Sequence, residues 1–173
     1  MADLDPLVRV PEDCDLKSLC ASVSEIFQVN KTEVGLLELR GKLLYFLFPE
    51  ELTDAGAIPV SSSAVAARTA QTKKAEAFNS FAQVNHFSVF ELIKLGDSGL
   101  DAQVIQKLMS APILSSEGTV LGVIQVSRKG PRPAIAGPDF TAADLQKLES
   151  VARFVARFMA RSKAIAQAAA QAY

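Results

Sequence analysis

One short run limits the possible architecture more than any other feature of the chain. Residues 43–48 read LLYFLF and are apolar at each position. Successive side chains of a strand point to opposite faces, so a strand that is apolar throughout must be covered on both sides. The run VLGVIQVS at 120–127 has the same character, because both of its alternating sets are mostly apolar. These strands predict a sheet that lies between two covering layers.

Turn residues predict how these strands are joined to their neighbours. RGK at 40–42 separates two apolar runs and predicts a tight hairpin with Gly41 at its turn. SEG at 116–118 predicts a second hairpin, which joins VIQKLMSAPIL to TVLGVIQVS. Pro112 favours a strand over a helix in the first of these runs, because proline disfavours the helical region at the residue before it. We expect Gly122 to allow a helix to pack close to the second strand.

Four segments carry signals for the remaining elements. Residues 16–28 have apolar side chains at helical spacing, with Asp15 as a possible N-cap. Residues 61–72 predict a short helix that begins with serine caps, and residues 75–81 predict a short strand. A long helix is predicted after Phe140, with Thr141 as N-cap, Asp144 at the third helical position and Leu145 opposite Phe140 in a hydrophobic staple. The elements therefore predict an α+β fold.

Composition limits the classes of protein to which this chain can belong. The 173 residues, 49% of them hydrophobic, suit one domain with a full core. A net charge of −1 gives no electrostatic footprint for nucleic acid. The chain starts without a signal-peptide pattern and contains no run of about 18 apolar residues, so we expect no membrane association and a cytoplasmic location.

The charges are unevenly distributed. Residues 1–60 carry 5 basic and 11 acidic side chains, whereas residues 141–173 carry 5 basic and 2 acidic ones. Arg153, Arg157 and Arg161 recur every four residues and therefore share one face of the last predicted helix. This stripe is either a solvated face or a surface that meets the acidic N-terminal third of a partner subunit.

Residues suited to catalysis or metal binding are few. Cys14 and Cys20 match no zinc spacing, and His86 is the only histidine. The chain has no phosphate-binding glycine loop, and the serines at 61–63 lack the context of a nucleophile. We predict no catalytic residue, no metal site and no enzymatic activity.

Several stretches resemble the GAF domain family, the small-molecule sensing module of many signalling proteins. APILSSEGTVLGVIQVSRKG, DFTAADLQKLESVA and IPVSSSAVAARTAQTKKAEAF are similar to family sequence, and the resemblance spans roughly residues 15–160. It implies a three-layer α/β/α domain with a central antiparallel sheet. The N- and C-terminal helices would pack on one face and a pocket-covering segment on the other. We expect an N-terminal extension over 1–14, the domain over 15–160 and a C-terminal helix extension over 161–173.

Two signatures of the family are incomplete in this chain. The cyclic-nucleotide signature is matched at Lys129, Phe140 and Asp144, but Arg128 and Leu145 depart from it. We therefore expect the three matched residues to be structural, with Lys129 able to pair with Asp144. Members that reduce free methionine sulfoxide place several cysteines around the pocket, whereas residues 21–173 contain none.

The resemblance implies a ligand pocket walled by the segment after residue 77. The candidate ligand-binding residues are Phe78, Asn79, His86, Phe87, Phe90, Ser110 and Gln125. Alternatively, the phenylalanines of this segment, with Phe81, fill the space themselves. Ser110 and Gln125, polar residues in apolar strands, either point at a ligand or satisfy a neighbouring backbone group.

Two functions remain open at this point. The first is a cytoplasmic regulatory domain that binds a small molecule, with no particular cofactor implied, and takes part in signal transduction through its terminal helices as a homodimer. The second is a ligand-free module for dimerisation or protein interaction, with its pocket filled by phenylalanines.

Overall fold

The computed structural model describes residues 15–54, 56–81 and 104–171, with side chains described as far as Arg161. The helices are α1 (Leu16–Phe27), α2 (Val65–Thr72), α3 (Pro133–Ala136) and α4 (Ala142–Gln171). The strands are β1 (Val34–Arg40), β2 (Leu43–Phe48), β3 (Ala57–Pro59), β4 (Glu76–Phe78), β5 (Ile105–Leu114) and β6 (Val120–Lys129). Short 3-10 turns occupy Lys31–Glu33 and Glu50–Leu52.

The six strands form one antiparallel sheet in the order β3-β2-β1-β6-β5-β4. Both predicted hairpins are confirmed, and Gly41 and Gly118 occupy their turns with φ of +64° and +82°. Glycine adopts these left-handed conformations without steric cost. The β1–β6 pair, with Val34 opposite Val126, joins the N-terminal strands to the C-terminal ones.

Alternate strand residues divide the core between two faces. We call the side covered by α1 and α4 the back face; Leu36, Met109 and Ile124 pack there with residues of both helices. The side covered by α2 is the front face, where Leu37 and Val123 pack with Phe81 and with alanines of α2. The three-layer α+β architecture expected from the two apolar strands is therefore confirmed.

Strand β6 is buried on both sides, since Gly122 to Ser127 all lie in the interior. Ile124 and Val126 face the back, as the alternation predicts. Simple alternation would place Val120 on the same face, but Val120 packs against the front cluster. A register irregularity between Ile113 and Leu114, which shifts the pairing by one residue, accounts for this change of side.

Gly122 is required for a different contact from the one expected. A Cβ at this position would overlap with the carbonyl oxygen of Leu37 and approach the Cα of Glu38 to 3.3 Å. Both atoms belong to β1, which pairs with β6 here. The close neighbour is thus the backbone of a strand, not a helix.

Capping was predicted correctly for two helices and wrongly for one. The Asp15 carboxylate accepts from Ser18 N–H at 2.8 Å, and Thr141 and Asp144 form a reciprocal capping box of 2.8 and 3.1 Å. Helix α2 has Ala64 at its N-cap and no side-chain cap bond. The serines precede that position because Ser62 N–H bonds to Pro59 O and closes a turn after β3.

Candidate functional site

Three polar side chains meet on the front face between α2 and the centre of the sheet. Ser110 on β5 and Gln125 on β6 face each other in the strand register, and Thr69 reaches them from α2. The Ser110 Oγ lies 2.7 Å from Thr69 Oγ1 and 3.3 Å from Gln125 Nε2. All three residues are buried, with exposures of 0% for Thr69 and Ser110 and 3% for Gln125.

The donors in this cluster follow from its bonds. The Thr69 hydroxyl donates to Val65 O at 2.9 Å, so its single proton is used within α2. The Ser110 hydroxyl therefore donates to Thr69, and Ser110 accepts from the Gln125 amide. Two residues selected from the sequence are thus brought together, and they bond to each other and to a helix that covers the sheet.

Two phenylalanines pack on the same face of the sheet. Phe78, opposite Leu108 in the β4–β5 register, is half-buried against the front cluster. Phe81 is among the largest completely buried side chains, with 1% of its surface exposed. Both rings therefore pack on the front face, the side of the sheet on which the polar cluster lies.

Asn79 links the end of β4 to the start of the last helix. Its Nδ2 donates to Phe140 O at 3.0 Å, and its Oδ1 accepts from Phe140 N–H at 2.8 Å. A ligand contact by Asn79 stays a prediction. His86, Phe87 and Phe90, the other residues expected to wall the pocket, lie outside the described residues.

The three residues matched to the cyclic-nucleotide signature make structural contacts. Phe140 is buried on the back face with the Arg128 guanidinium 4.7 Å from its ring centre, and Asp144 caps α4. Lys129 donates through its backbone to Glu33 Oε2 at 2.6 Å and through Nζ to Thr32 O at 3.2 Å.

Glu33 is a buried polar residue that the sequence reasoning missed. Its carboxylate accepts from the backbones of Asn30 and Lys129, at 2.8 and 2.6 Å, and so joins the loop before β1 to the end of β6. The spacing of Asn30 and Glu33 is that of a capping box and was the available signal.

Lys107 was also missed. It is 4% exposed, and its Nζ donates to Gly137 O at 2.6 Å and pairs with Asp139 at 2.8 Å. These bonds hold the loop between β6 and α4 against β5. No periodicity signals a buried lysine, since its partners lie in a loop about 30 residues further along the chain.

Cys20, on the buried side of α1, is 1% exposed, and burial raises the pKa of its thiol to about 12. The thiol therefore stays protonated near neutral pH and is a poor nucleophile. Within the described ranges, no helix is long and apolar enough to span a bilayer, and no cluster of three or more histidine, cysteine or carboxylate side chains is arranged to hold a metal.

Comparisons with known proteins agree with this architecture. The family model described as GAF domain matches residues 16–158. The GAF domain from Acinetobacter phosphoenolpyruvate-protein phosphotransferase is similar, with a TM-score of 0.69, 16% identity, and 96% of this chain and 98% of that chain covered. The GAF domain from a phosphoenolpyruvate-protein phosphotransferase of Coxiella burnetii has a TM-score of 0.67 and 10% identity, with 96% of this chain and 93% of that chain covered.

One similar structure is that of an enzyme. Free methionine-R-sulfoxide reductase from Neisseria meningitidis has a TM-score of 0.62 and 15% identity, with 94% of this chain and 86% of that chain covered. No curated protein sequence matches the chain. At these low identities the structural neighbours show only the fold. The family model shows the family, because it matches most of the chain. The chain therefore belongs to the GAF domain family.

Proposed function

We propose that this GAF domain is a cytoplasmic regulatory module that binds a small molecule over the front face of its sheet. The observation that carries the proposal is the buried cluster of Thr69, Ser110 and Gln125. Small-molecule sites combine a mainly apolar wall with a few directed polar groups. Here Phe78 and Phe81 supply the apolar wall and the cluster supplies the polar groups.

The proposed ligand contacts are Phe78, Asn79, Ser110 and Gln125, together with His86, Phe87 and Phe90. The Gln125 carboxamide both donates and accepts, so it suits a ligand with a complementary amide-like edge. A flat apolar body would pack against the phenylalanines. Such a ligand would replace part of the internal hydrogen bonding with its own.

The route of the signal in this proposal is the bond pair between Asn79 and Phe140. A ligand that shifts the end of β4 changes the geometry at Phe140, directly before the capping box of α4. The terminal helices α1 and α4 share the back face and would form the homodimer contact. The ligand shifts this equilibrium only by its difference in affinity for the two helix arrangements.

The proposed module is not an enzyme. The buried thiol of Cys20, with its pKa raised to about 12, supports this, because a catalytic thiol needs a thiolate in reach of substrate. The reductase activity named for the Neisseria neighbour belongs to that protein.

A second function is favoured by the burial of Phe81. This ring is 1% exposed and packs with the alanines of α2, while the polar cluster satisfies its own hydrogen bonds. The chain would then be a dimerisation or protein-interaction module whose front face is filled by its own side chains.

A thermal-shift screen against nucleotides, amino acids and aromatic metabolites separates the two functions. A ligand present at about 100 times its Kd should stabilise the protein by about 2.7 kcal/mol. Gln125→Ala should reduce the shift for that ligand, whereas Gln146→Ala, an exposed glutamine on α4, should leave it unchanged. Failure of every ligand class to raise the melting temperature, with dimerisation retained, favours the second function.

A further inference from the structure

A groove of about 1160 Å³ lies at one edge of the sheet, away from the front-face cluster. One wall is residues 73–75, which lead into β4. The others are Pro112 and Leu114 of β5 with the two serines that follow it, and one side of α4 between residues 149 and 160. None of its described lining residues belongs to the cluster of Thr69, Ser110 and Gln125. We call it the edge groove.

In the described part of the chain, part of one strand edge has no partner strand along this groove, and there Pro112 and Leu114 are half-buried whereas Ala111 and Ile113 are buried. Strand β4 pairs only with Leu108 to Ser110, and among the described residues no strand pairs with Ala111–Leu114 on that side. Pro112 lies in this stretch and lines the groove with Leu114. Proline occurs in sheets chiefly where its missing N–H faces an edge, so its position agrees with an open side.

Four basic side chains surround the edge groove. Lys73, Lys74, Arg153 and Arg157 are all exposed, and Glu149 is the one carboxylate among its described lining residues. Within the described part of the chain, none of the four basic residues forms a salt bridge.

Two of these basic side chains are held in place by neutral groups. Lys73 Nζ donates to Gly118 O at 3.1 Å, and Arg153 donates to Ser150 Oγ at 2.9 Å. Their positive charges therefore remain uncompensated by a carboxylate along the rim of the groove. A complementary partner carries several negative charges at the same spacing.

The floor of the edge groove is apolar and made of small side chains. Ala75, Ala152 and Ala156 line it beside Pro112 and Leu114. Small side chains let another backbone approach closely, and an open strand edge favours an extended one. A nucleic acid fits this surface less well, because the floor offers no aromatic platform on which bases could stack.

We propose that the edge groove docks an extended acidic peptide segment of a partner protein. The partner's backbone lies beside Pro112 and Leu114, its small or apolar side chains face the alanine floor, and its carboxylates meet Lys74, Arg153 and Arg157. This interaction surface is separate from the ligand site proposed above and does not depend on it.

Fluorescence anisotropy of a labelled peptide tests the proposal. The probe is a peptide of about ten residues that alternates glutamate with valine, and its control alternates lysine with valine. The glutamate peptide should bind the intact chain, and salt should weaken it. The double variant R153E/R157E should weaken binding by about tenfold or more, and K74E should weaken it less.

K42E is the matched control for charge reversal, because Lys42 is exposed in the β1–β2 turn and does not line the groove. Equal binding of the two peptides, or unchanged affinity in R153E/R157E with native circular dichroism, overturns the proposal. So does stronger competition by a single-stranded oligonucleotide of equal charge. Displacement by a peptide of residues 1–14, or self-association lost in R153E/R157E, assigns the groove to this chain and also overturns it.

Discussion

Gly122 allows the two central strands, β1 and β6, to pair closely because it has no side chain. It lies opposite Glu38 where β6 pairs with β1, and the carbonyl of Leu37 occupies the space that a Cβ would need. Both neighbours are backbone atoms in buried strands, so neither can move without disturbing the ladder.

Gly122→Ala is expected to destabilise the domain by at least about 3 kcal/mol, because the strands β1 and β6 must separate locally. Gly41→Ala is the matched control: a Cβ there meets nothing within 4 Å, and the cost of about 1 kcal/mol comes only from its left-handed backbone. Urea unfolding measures both. Equal losses in the two variants would contradict the overlap with Leu37.

Burial of Cys20 makes the free energy of unfolding depend on pH in the alkaline range. Its thiol has a pKa of about 12 in the folded chain, against 9.0 when exposed. Between these values the unfolded chain loses its proton and the folded chain retains it. The free energy of unfolding therefore falls as pH rises above 9, with a slope that approaches about 1.4 kcal/mol per pH unit from this group.

Cys20→Ala should remove the contribution of the thiol to the pH dependence of the unfolding free energy. The cavity left by the lost sulfur should lower the stability of this variant at all pH values. The measurement compares urea midpoints of the two proteins from pH 8 to about 11, with Cys14→Ser in both so that Cys20 is the only thiol. Parallel pH profiles for the two proteins would show that the thiol is accessible to water in the folded state.

At the scale of elements, Asn79 connects strand β4 to helix α4. Its side chain satisfies both the N–H and the C=O of Phe140, directly before the Thr141–Asp144 capping box. Phe140, just before this 30-residue helix, is thus held by a side chain 61 positions earlier in the chain. A displacement at Asn79 can therefore shift Phe140, and a displacement at Phe140 can shift Asn79.

Asn79→Ala should leave the backbone of Phe140 without partners and cost about 1–3 kcal/mol. Hydrogen exchange in the first turn of α4 should become faster, while exchange in α1 stays unchanged. Ser80→Ala, at an exposed neighbour, is the control and should stay within about 0.5 kcal/mol of the parent. Unchanged exchange at residues 142–145 would mean that the capping box alone holds the helix start.

The elements themselves were largely predictable because their signals are local. Asp15, Gly41 and Thr141 mark boundaries that depend on nearby backbone groups, and the structure confirms all three. The serine caps of α2 failed because a turn after β3 displaces the helix start to Val65.

At the scale of the whole molecule, two strands apolar on both faces were enough to predict the layers. The edge groove was not predictable as a unit, since it joins segments around Lys73, Pro112 and Arg153 that are far apart in sequence. Regular spacing did identify Arg153 and Arg157, but only the fold places them beside an open strand edge.

The pairing of β1 with β6 also dictates an order of events. The hairpin of β1 and β2 leaves the ribosome before β6, the strand that pairs with β1, because β6 is synthesised roughly 90 residues later. The central pair of the sheet therefore forms only through a contact of long sequence separation. During that interval LLYFLF has neither of its covering layers complete. A nascent chain of this design is most exposed to aggregation, and most in need of a chaperone, before its last third has been translated.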